Sequence, residues 1–414
     1  MRLDYAIPGV YVEEVPSGAR PLTPLGTSTA AFIGKAPGAL APSNGEPLAV
    51  NNWTQFRDLF CKDAQERGKS PVYSKKGTPL AYAVYGFFQN GGDRCYVINS
   101  PSDSLSEALM RLESVDEVAI VSAPGYCDPA SYDTLLTHCE NMTDRVAVLD
   151  APLEVDNIDL LKEVGVEPLA GGPAAGAGAS KGLRPRQSDK GFGAFYFPWI
   201  RIRDPFYEKR DDNGSSNRDP NVDVPPSGHV AGIYARTDGT RGVHKAPANE
   251  LIRGALNVVH RVSPQEQRVL NPAGVNCIRF FPREGIRVWG ARTLAPESSE
   301  WRYLNVRRLF SMIEKTIALD TRWIVFEPND QTLWKAIRRD VSAFLTLLWR
   351  QGALMGRAPE DAFFVRCDEE TNDQITIDAG RVRTVIGIAP VKPAEFVIFE
   401  IGQTVAGAEV AVAS

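Results

Sequence analysis

The segment Gly171-Gly-Pro-Ala-Ala-Gly-Ala-Gly-Ala-Ser-Lys-Gly182 has the glycine density of a loop that could wrap a phosphate. That chemistry needs Gly-Lys followed by Ser or Thr, so that ammonium and hydroxyl reach the phosphate and its magnesium together. Here Ser180 precedes Lys181, and the segment holds no matching Gly-Lys pair. It reads instead as a flexible surface loop within residues 152–193. Metal chemistry has no better footing. Cysteines 61, 95, 127, 139, 277 and 367 form no Cys-x-x-Cys pair, and histidines 138, 229, 244 and 260 have no ligand-like spacing to them. His138 and Cys139 are adjacent, and adjacent residues on a helix face different ways. No metal and no cofactor is expected, and the cysteines read as reduced, buried thiols.

The elements that would position any site alternate between helix and strand. Thr29–Gly34 is a small apolar strand and Trp53–Phe60 a short amphipathic helix. Pro79–Phe88 is a helix stopped by Asn90-Gly91-Gly92, and Arg94–Asn99 is a buried strand. The pattern then repeats: helix Ser104–Leu112, strand Val118–Ser122, helix Ser131–Asn141, strand Arg145–Leu149. Alternation of this kind predicts a mostly parallel sheet with both faces covered. Ligands of such sheets bind beyond the strand C-termini. The sequences there, Ala123-Pro-Gly125 and Asp150-Ala-Pro152, carry no phosphate fingerprint. Arg201–Pro226 is loop-like, Gly228–Thr237 starts a helix that crosses the core, and Ala248–Val259 is structured.

The C-terminal part opens with two apolar runs, Val275–Phe281 and Ile286–Trp289, around a Pro282-Arg-Glu-Gly285 turn, which predicts a hairpin or two sheet strands. Tyr303, Val306, Phe310, Ile313 and Ile317 share one face of a long helix. A short strand is expected at Arg322–Phe326. A second helix follows over Gln331–Arg350, capped by Asn329 or Asp330, with Trp334, Ile337, Val341, Phe344, Leu345 and Leu348 as its stripe.

The wording of these segments adds to their periodicity. Asn271-Pro-x-Gly-Val-Asn276, Trp289-Gly-Ala-Arg-Thr-Leu294, Asn305-Val-Arg-Arg308, Phe326-Glu-Pro-Asn329 and Pro390-Val-Lys-Pro-Ala-Glu-Phe396, in this order, resemble the sheath protein of contractile phage tails and phage-tail-like injection machines. Upstream, Pro8-Gly-Val-Tyr-Val-Glu-Glu14, Asn90-Gly-Gly92, Cys95-Tyr-Val-Ile98, Ala123-Pro-Gly-Tyr126, Asp144–Asp150 and Pro225–Gly232 are similar to sheath segments too. The resemblance runs from the first strand to about residue 404.

It implies a mixed α/β fold: a central subtilisin-like α/β domain, a C-terminal α/β sheath domain, and extended strand arms at both termini. The divisions expected are an N-terminal arm 1–20, an N-terminal α/β part 21–100, a subtilisin-like domain 101–268, a tube-facing domain 269–392 and a C-terminal arm 393–414. A subtilisin-like architecture raises the question of a Ser-His-Asp site. Ser227-Gly-His229 is local and Asp150 and Asp238 are available, but adjacency gives no base within reach of the serine, and Gly-x-Ser-x-Gly does not occur. The family keeps the architecture without protease activity, so no enzyme is expected, and Ser227 and His229 read as turn and packing residues at a domain junction.

Two sets of residues are expected to meet other chains. Val10, Tyr11 and Val12 form a short β run bracketed by prolines, either an edge strand of its own domain or a strand lent to a neighbour. Phe396, Val397, Ile398, Phe399 and Ile401 are apolar on nearly both strand faces and need partner strands, which the resemblance supplies by β-augmentation of a neighbouring subunit. Lys335, Arg338 and Arg339 cluster opposite the apolar stripe of their helix. They read as a solvated face, or, by the resemblance, as a contact to an inner tube.

The function implied is mechanical: a helical homo-oligomer of stacked, hexameric rings around an inner tube, with baseplate and terminal cap proteins as further partners, which contracts to drive the tube through a cell envelope. A hydrolase or a non-contractile filament or shell subunit are the alternatives. Composition fits a protein of this kind. The net charge is −5 from 46 basic and 51 acidic residues, which argues against a general nucleic-acid binder. No apolar run is long enough to span a membrane, and Met1-Arg-Leu-Asp-Tyr lacks a signal core, so assembly in the cytoplasm is expected, with later release as a particle possible for this class.

Overall fold

The computed structural model describes residues 22–65, 69–100, 104–166, 182–207 and 219–396. The first strand among the described residues, β1 (Ala30–Gly34), leads through β2 (Leu48–Val50), α1 (Trp53–Phe60) and a small ribbon of β3 (Lys62–Ala64) and β4 (Val72–Tyr73) to α2 (Pro79–Asn90) and β5 (Cys95–Asn99). The βα alternation continues with α3 (Leu105–Leu112), β6 (Ile120–Ser122), α4 (Pro129–Met142), β7 (Val146–Asp150) and β8 (Gly193–Phe197). Next come β9 (Ile200–Arg203), β10 (Asn221–Val224), α5 (Ser227–Arg241), β11 (Glu250–Leu251), β12 (Ala255–Val258), α6 (Pro264–Leu270), β13 (Val275–Phe281) and β14 (Gly285–Val288). The described residues close with α7 (Leu304–Asp320), α8 (Gln331–Arg350), α9 (Pro359–Ala362), β15 (Phe363–Arg366), α10 (Gln374–Asp378) and β16 (Val385–Ile388).

Nine of these strands form one sheet among the described residues, in the order β11-β14-β13-β8-β7-β6-β1-β5-β2. Its interior pairs are parallel, as the alternating elements predict, and antiparallel β2, β14 and β11 finish the edges. Alternate residues of each strand face opposite cores. Ala30, Phe32, Cys95, Val97, Val146 and Val148 enter the core shared with α2 and α5, while Ala31, Ile33, Ile98, Ala147 and Leu149 enter the core under α3 and α4. The hairpin β13–β14 turns through Arg283 (φ 71°) and Gly285 (φ 84°), and β13 pairs in parallel with β8. One sheet therefore runs across residues 101 and 269, where the sequence suggested divisions.

The helices end where their capping residues put them. Thr78 caps α2 and Gly91, at φ 112°, ends it. Asp128 caps α4, and Asp330 caps α8 by accepting from the Leu333 amide at 2.9 Å. Asn329, the other residue considered for that cap, accepts from the Trp334 indole instead, at 2.8 Å. A third core joins α7, α8 and the β15–β16 ribbon, and includes Leu22.

One expected element is absent. Arg322–Ile324 is a 3-10 turn rather than part of a strand over Arg322–Phe326. The amide of Ile324 donates back to Thr321 at 3.0 Å, continuing the end of α7, and Trp323 and Ile324 pack into the third core. A short apolar run becomes a strand only where an edge waits for it, and here the end of α7 supplies the partners first.

Candidate functional site: chain roots, a charged helix and an open ribbon

Ser227 is the first residue of α5, and Asp150 is the last of β7. The serine Oγ donates to Asp150 Oδ2 at 2.6 Å, its amide donates to Oδ1 at 2.8 Å, and the Gly125 amide donates to Oδ2 at 3.3 Å. The serine's partner is thus a carboxylate and not an imidazole. His229 lies fully buried against α2, with no hydrogen-bond partner for either ring nitrogen among the described residues. Burial holds it neutral, down to about 4. Asp238 is engaged elsewhere, by Arg308 and Thr27. These residues do not assemble a nucleophile, base and orienting acid.

Burial pushes the Asp150 carboxyl up to about 7, although Ser227 and Gly125 oppose that shift. A folded-state value above the unfolded one means that the native state binds the extra proton. The contribution of Asp150 to stability is therefore full below pH ~4 and lost as the pH rises toward 7. Asp150→Asn should flatten this part of the profile. Relative to wild type it should gain stability at pH 8 compared with pH 5, read from urea unfolding at the two values. An unchanged difference between pH 5 and 8 would show that Asp150 does not carry this linkage.

The charged helix presents its three basic residues in three different ways. Lys335 and Arg339, one turn apart, are exposed. Arg338 is half-buried and, with Lys335, borders a groove whose other wall is Asp368, Glu369 and Glu370. Arg339 Nε donates to the buried Asp340 at 2.9 Å. The expected cluster is therefore split by exposure: Lys335 and Arg339 are exposed and Arg338 is half-buried, and Lys335 and Arg338 both border the groove beside an acidic loop of their own chain.

Of the residues expected in strand arms, Val10, Tyr11, Val12, Val397, Ile398, Phe399 and Ile401 lie outside the described residues. Phe396 is described and is 73% exposed. Just before it, the chain is held firmly. Glu395 accepts from Arg292 at two nitrogens (2.9 and 2.8 Å), from Asn271 Nδ2 at 2.9 Å and from the Tyr303 hydroxyl at 3.5 Å. Burial alone would raise this carboxyl, but the bonds from Arg292 and Asn271 outweigh it and hold it below the usual range. Asn305 Nδ2 donates to Val391 O at 3.0 Å, and Asn276 clasps the backbone of Arg292 from both sides.

Thus Asn271 and Asn276 from one quoted segment, Arg292 from a second and Glu395 from a third meet in one cluster, and Asn305 from a fourth holds the same terminal stretch at Val391. The sequence carried a signal for them: amide and charged residues inside apolar stretches. It gave no indication that they converge.

The β15–β16 ribbon pairs Phe363 with Ile388 through Arg366 with Val385, and no third strand joins it among the described residues. It packs on α8, and Phe364 is 49% exposed. Two strands alone are a marginal unit, and their free edges are sites for further pairing.

Comparison with known proteins gives a consistent answer. Residues 103–294 match the model of the phage tail sheath protein central domain, and residues 297–404 that of the phage tail sheath C-terminal domain. The chain is 30% identical to the PVC sheath of an extracellular contractile injection system, solved in its contracted state, with a TM-score of 0.73 over 98% of this chain and 99% of that one. It is 29% identical to the helical sheath of the anti-feeding prophage in its contracted state, with a TM-score of 0.69 over 96% and 99%. The tail sheath protein of Salmonella phage ViI is 26% identical over 288 residues, 67% of this chain and 42% of that protein. The chain spans less than half the length of the curated phage relatives it matches. With both family models in sequence order and a full-length likeness to a contractile sheath, the chain belongs to the contractile tail sheath family.

Proposed function

We propose that this chain is the structural subunit of a contractile sheath. Copies stack as rings around an inner tube, join a baseplate at one end and a cap protein at the other, and move from an extended to a contracted packing that drives the tube into a target envelope. The drive is the free-energy difference between two packings of the same interfaces. No catalysis is assigned, since Ser227 is committed to Asp150. Assembly takes place in the cytoplasm, and the finished particle is a phage tail or a phage-tail-like machine. The divisions that serve this role are arms at 1–20 and 393–414, an N-terminal α/β part over 21–100, a subtilisin-like part over 101–268 and a tube-facing part over 269–392.

The observation that carries this reading is the two-stranded β15–β16 ribbon, with both outer edges unpaired among the described residues. Residues 10–12 and 396–401 of other copies supply the missing strands by β-augmentation. Lys335, Arg338 and Arg339 meet acidic groups of the tube. Exposed ion pairs are each worth ~0–1 kcal/mol, so many copies hold together and release together.

Electron microscopy tests both contacts. The full chain should form hollow tubes, while a chain ending at Phe396 should stay folded and monomeric. That end point keeps the Glu395 contacts, which a cut at Ala389 would also remove. Reversing Lys335, Arg338 and Arg339 should leave tubes of the chain alone intact but abolish extended sheath around the inner tube. Monomers from the full chain would sink the sheath reading. Normal extended particles from the triple reversal would sink the tube contact.

A further inference from the structure

Phe326 opens the Phe326-Glu-Pro-Asn329 segment, yet neither the third core nor the basic face of α8 includes it. The elbow between α7 and α8 folds as a tight turn, in which the Glu327 amide donates to Ile324 O at 3.1 Å. Val325 has φ −64° and ψ 126°, and Phe326 has φ 71°. These are the angles of a type II turn, whose third residue is ordinarily glycine or asparagine because a Cβ is crowded there. Phe326 carries that strain and gains no burial: it is fully exposed, and Val325 beside it is 61% exposed. The elbow is held in place all the same. Asn329 Nδ2 donates to Arg381 O at 2.9 Å, its Oδ1 accepts from the Trp334 indole at 2.8 Å, and Pro328 stiffens the backbone between them and the ring. A large apolar side chain fixed in a strained turn and left open to solvent weakens the subunit alone. Its use lies in a contact beyond the described residues.

The N-terminal arm leaves the subunit beside this elbow. The Thr23 amide donates to Asp320 Oδ2 at 2.8 Å, on the last residue of α7 and six residues before Phe326. Leu22 is buried in the core against which Trp323 and Ile324 pack. The C-terminal arm of the same chain starts at the opposite end of α7, where Tyr303 donates to Glu395. At 1.5 Å of rise per residue, Tyr303 lies about 26 Å from Asp320. From Leu22 back to Val10 the chain spans up to ~40 Å when extended, enough to carry residues 10–12 to a neighbouring copy. Val15, Pro16 and Pro21 lie on that path. Proline favours a stiff, extended chain, and chains of that kind dock on exposed aromatic rings.

We infer that the Phe326 ring is the seat of the N-terminal arm. When residues 10–12 pair with a neighbouring copy, residues 13–21 of the same chain lie across the elbow, with Val15, Pro16 and Pro21 against the ring. This rests on the sheath reading and names the residue that sets the direction in which the arm leaves. Phe326 is thus a positioning residue: the left-handed turn aims its ring outward, where the arm passes.

Photocrosslinking tests this on the full chain. Phe326→p-benzoylphenylalanine is assembled into tubes from a mixture of nitrogen-15-labelled and unlabelled chains, irradiated and mapped by mass spectrometry. Crosslinks should fall on residues 13–21, and both crosslinked segments should carry the same label, as one chain requires. Phe326→Gly removes the ring and the strain together. Its urea midpoint should rise above that of the wild type, while the concentration needed for tubes should rise roughly tenfold, the equivalent of one lost aromatic contact. Phe326→Trp should form tubes at the wild-type concentration. Crosslinks to another copy, to the inner tube or to the C-terminal arm would overturn the seat, and so would the absence of crosslinks. A Phe326→Gly chain that assembles as readily as the wild type, or is less stable than it, would do the same. If the full chain forms no tubes, the sheath reading falls and the seat with it, whereas tubes crosslinked elsewhere remove the seat alone.

Discussion

Asp238→Ala should lower the unfolding free energy by ~3–5 kcal/mol, read as a shift of the urea midpoint. The carboxylate and its partner Arg308 are both nearly sealed from solvent, with side chains 6% and 3% exposed. Arg308 meets Asp238 through two nitrogens, at 3.0 and 2.5 Å, and Thr27 Oγ1 donates to the same carboxylate at 2.5 Å. With Asp238 removed, the guanidinium keeps the Thr27 carbonyl and the face of Tyr234, 4.7 Å away, but no counter-charge. A buried cation stripped of its partner is the costly state, whereas loss of the pair as a whole is not. Asp238→Leu with Arg308→Met should therefore cost far less than the sum of the single changes. A double-mutant coupling near zero would mean that the pair acts as two independent contacts. The pair also joins three distant parts of the chain, since Thr27 precedes β1, Asp238 lies on α5 and Arg308 on α7.

Gly228→Ala should be comparably severe, destabilising by ~3 kcal/mol or more, at the upper end of what overpacking costs. A methyl at Gly228 would lie 2.2 Å from the Cα and carbonyl oxygen of Ala83. Those are backbone atoms of α2, so relief requires the two helices to separate. Gly86→Ala presents a different problem at the same interface, because its methyl would lie 2.2 Å from Nδ1 of the His229 ring. That obstacle is a side chain and can be removed. Gly86→Ala combined with His229→Ala should recover most of the stability lost in Gly86→Ala alone, while Gly228→Ala should not be rescued by any change at 229. Thermal unfolding of the four variants checks both statements. Equal rescue at both glycines would show that α2 and α5 are not packed backbone to backbone.

This interface also explains the lone histidine. His229 stands two residues from Ser227 in sequence, yet it is directed at Gly86 while the serine caps the end of β7 through Asp150. Residues two apart on a helix do not share a face. The pairing that looks chemical in one dimension is divided by the helix into two packing roles. It also couples to pH in the opposite sense to Asp150. His229 is held down to about 4, so its contribution is present above the unfolded histidine range and is lost as the pH falls toward 4.

Much of the architecture was legible because it is written in local pattern. The short apolar runs of Ala30–Gly34, Cys95–Asn99 and Val146–Asp150, the 3.6-residue stripe of Gln331–Arg350 and the stop at Gly91 depend on residues near one another in sequence. The ordered set of short segments also pointed to the sheath family, because each segment keeps a local shape that a long-range fold reuses. The strand expected at Arg322–Phe326 failed for the converse reason, since strand formation depends on a partner edge that local sequence cannot report.

The mixed α/β class, most helices and strands, and membership of a family follow from local pattern and wording along the chain. Tertiary packing alone settles that the hairpin at 275–288 joins the large sheet, that Arg338 is half-buried while Lys335 and Arg339 are exposed, and that Arg292 and Asn271 converge on Glu395 while Asn305 holds Val391. These are contacts between residues far apart in the chain. Their existence depends on how the helices and sheet pack, and packing is chosen by the summed burial of whole faces rather than by the pattern of any one segment.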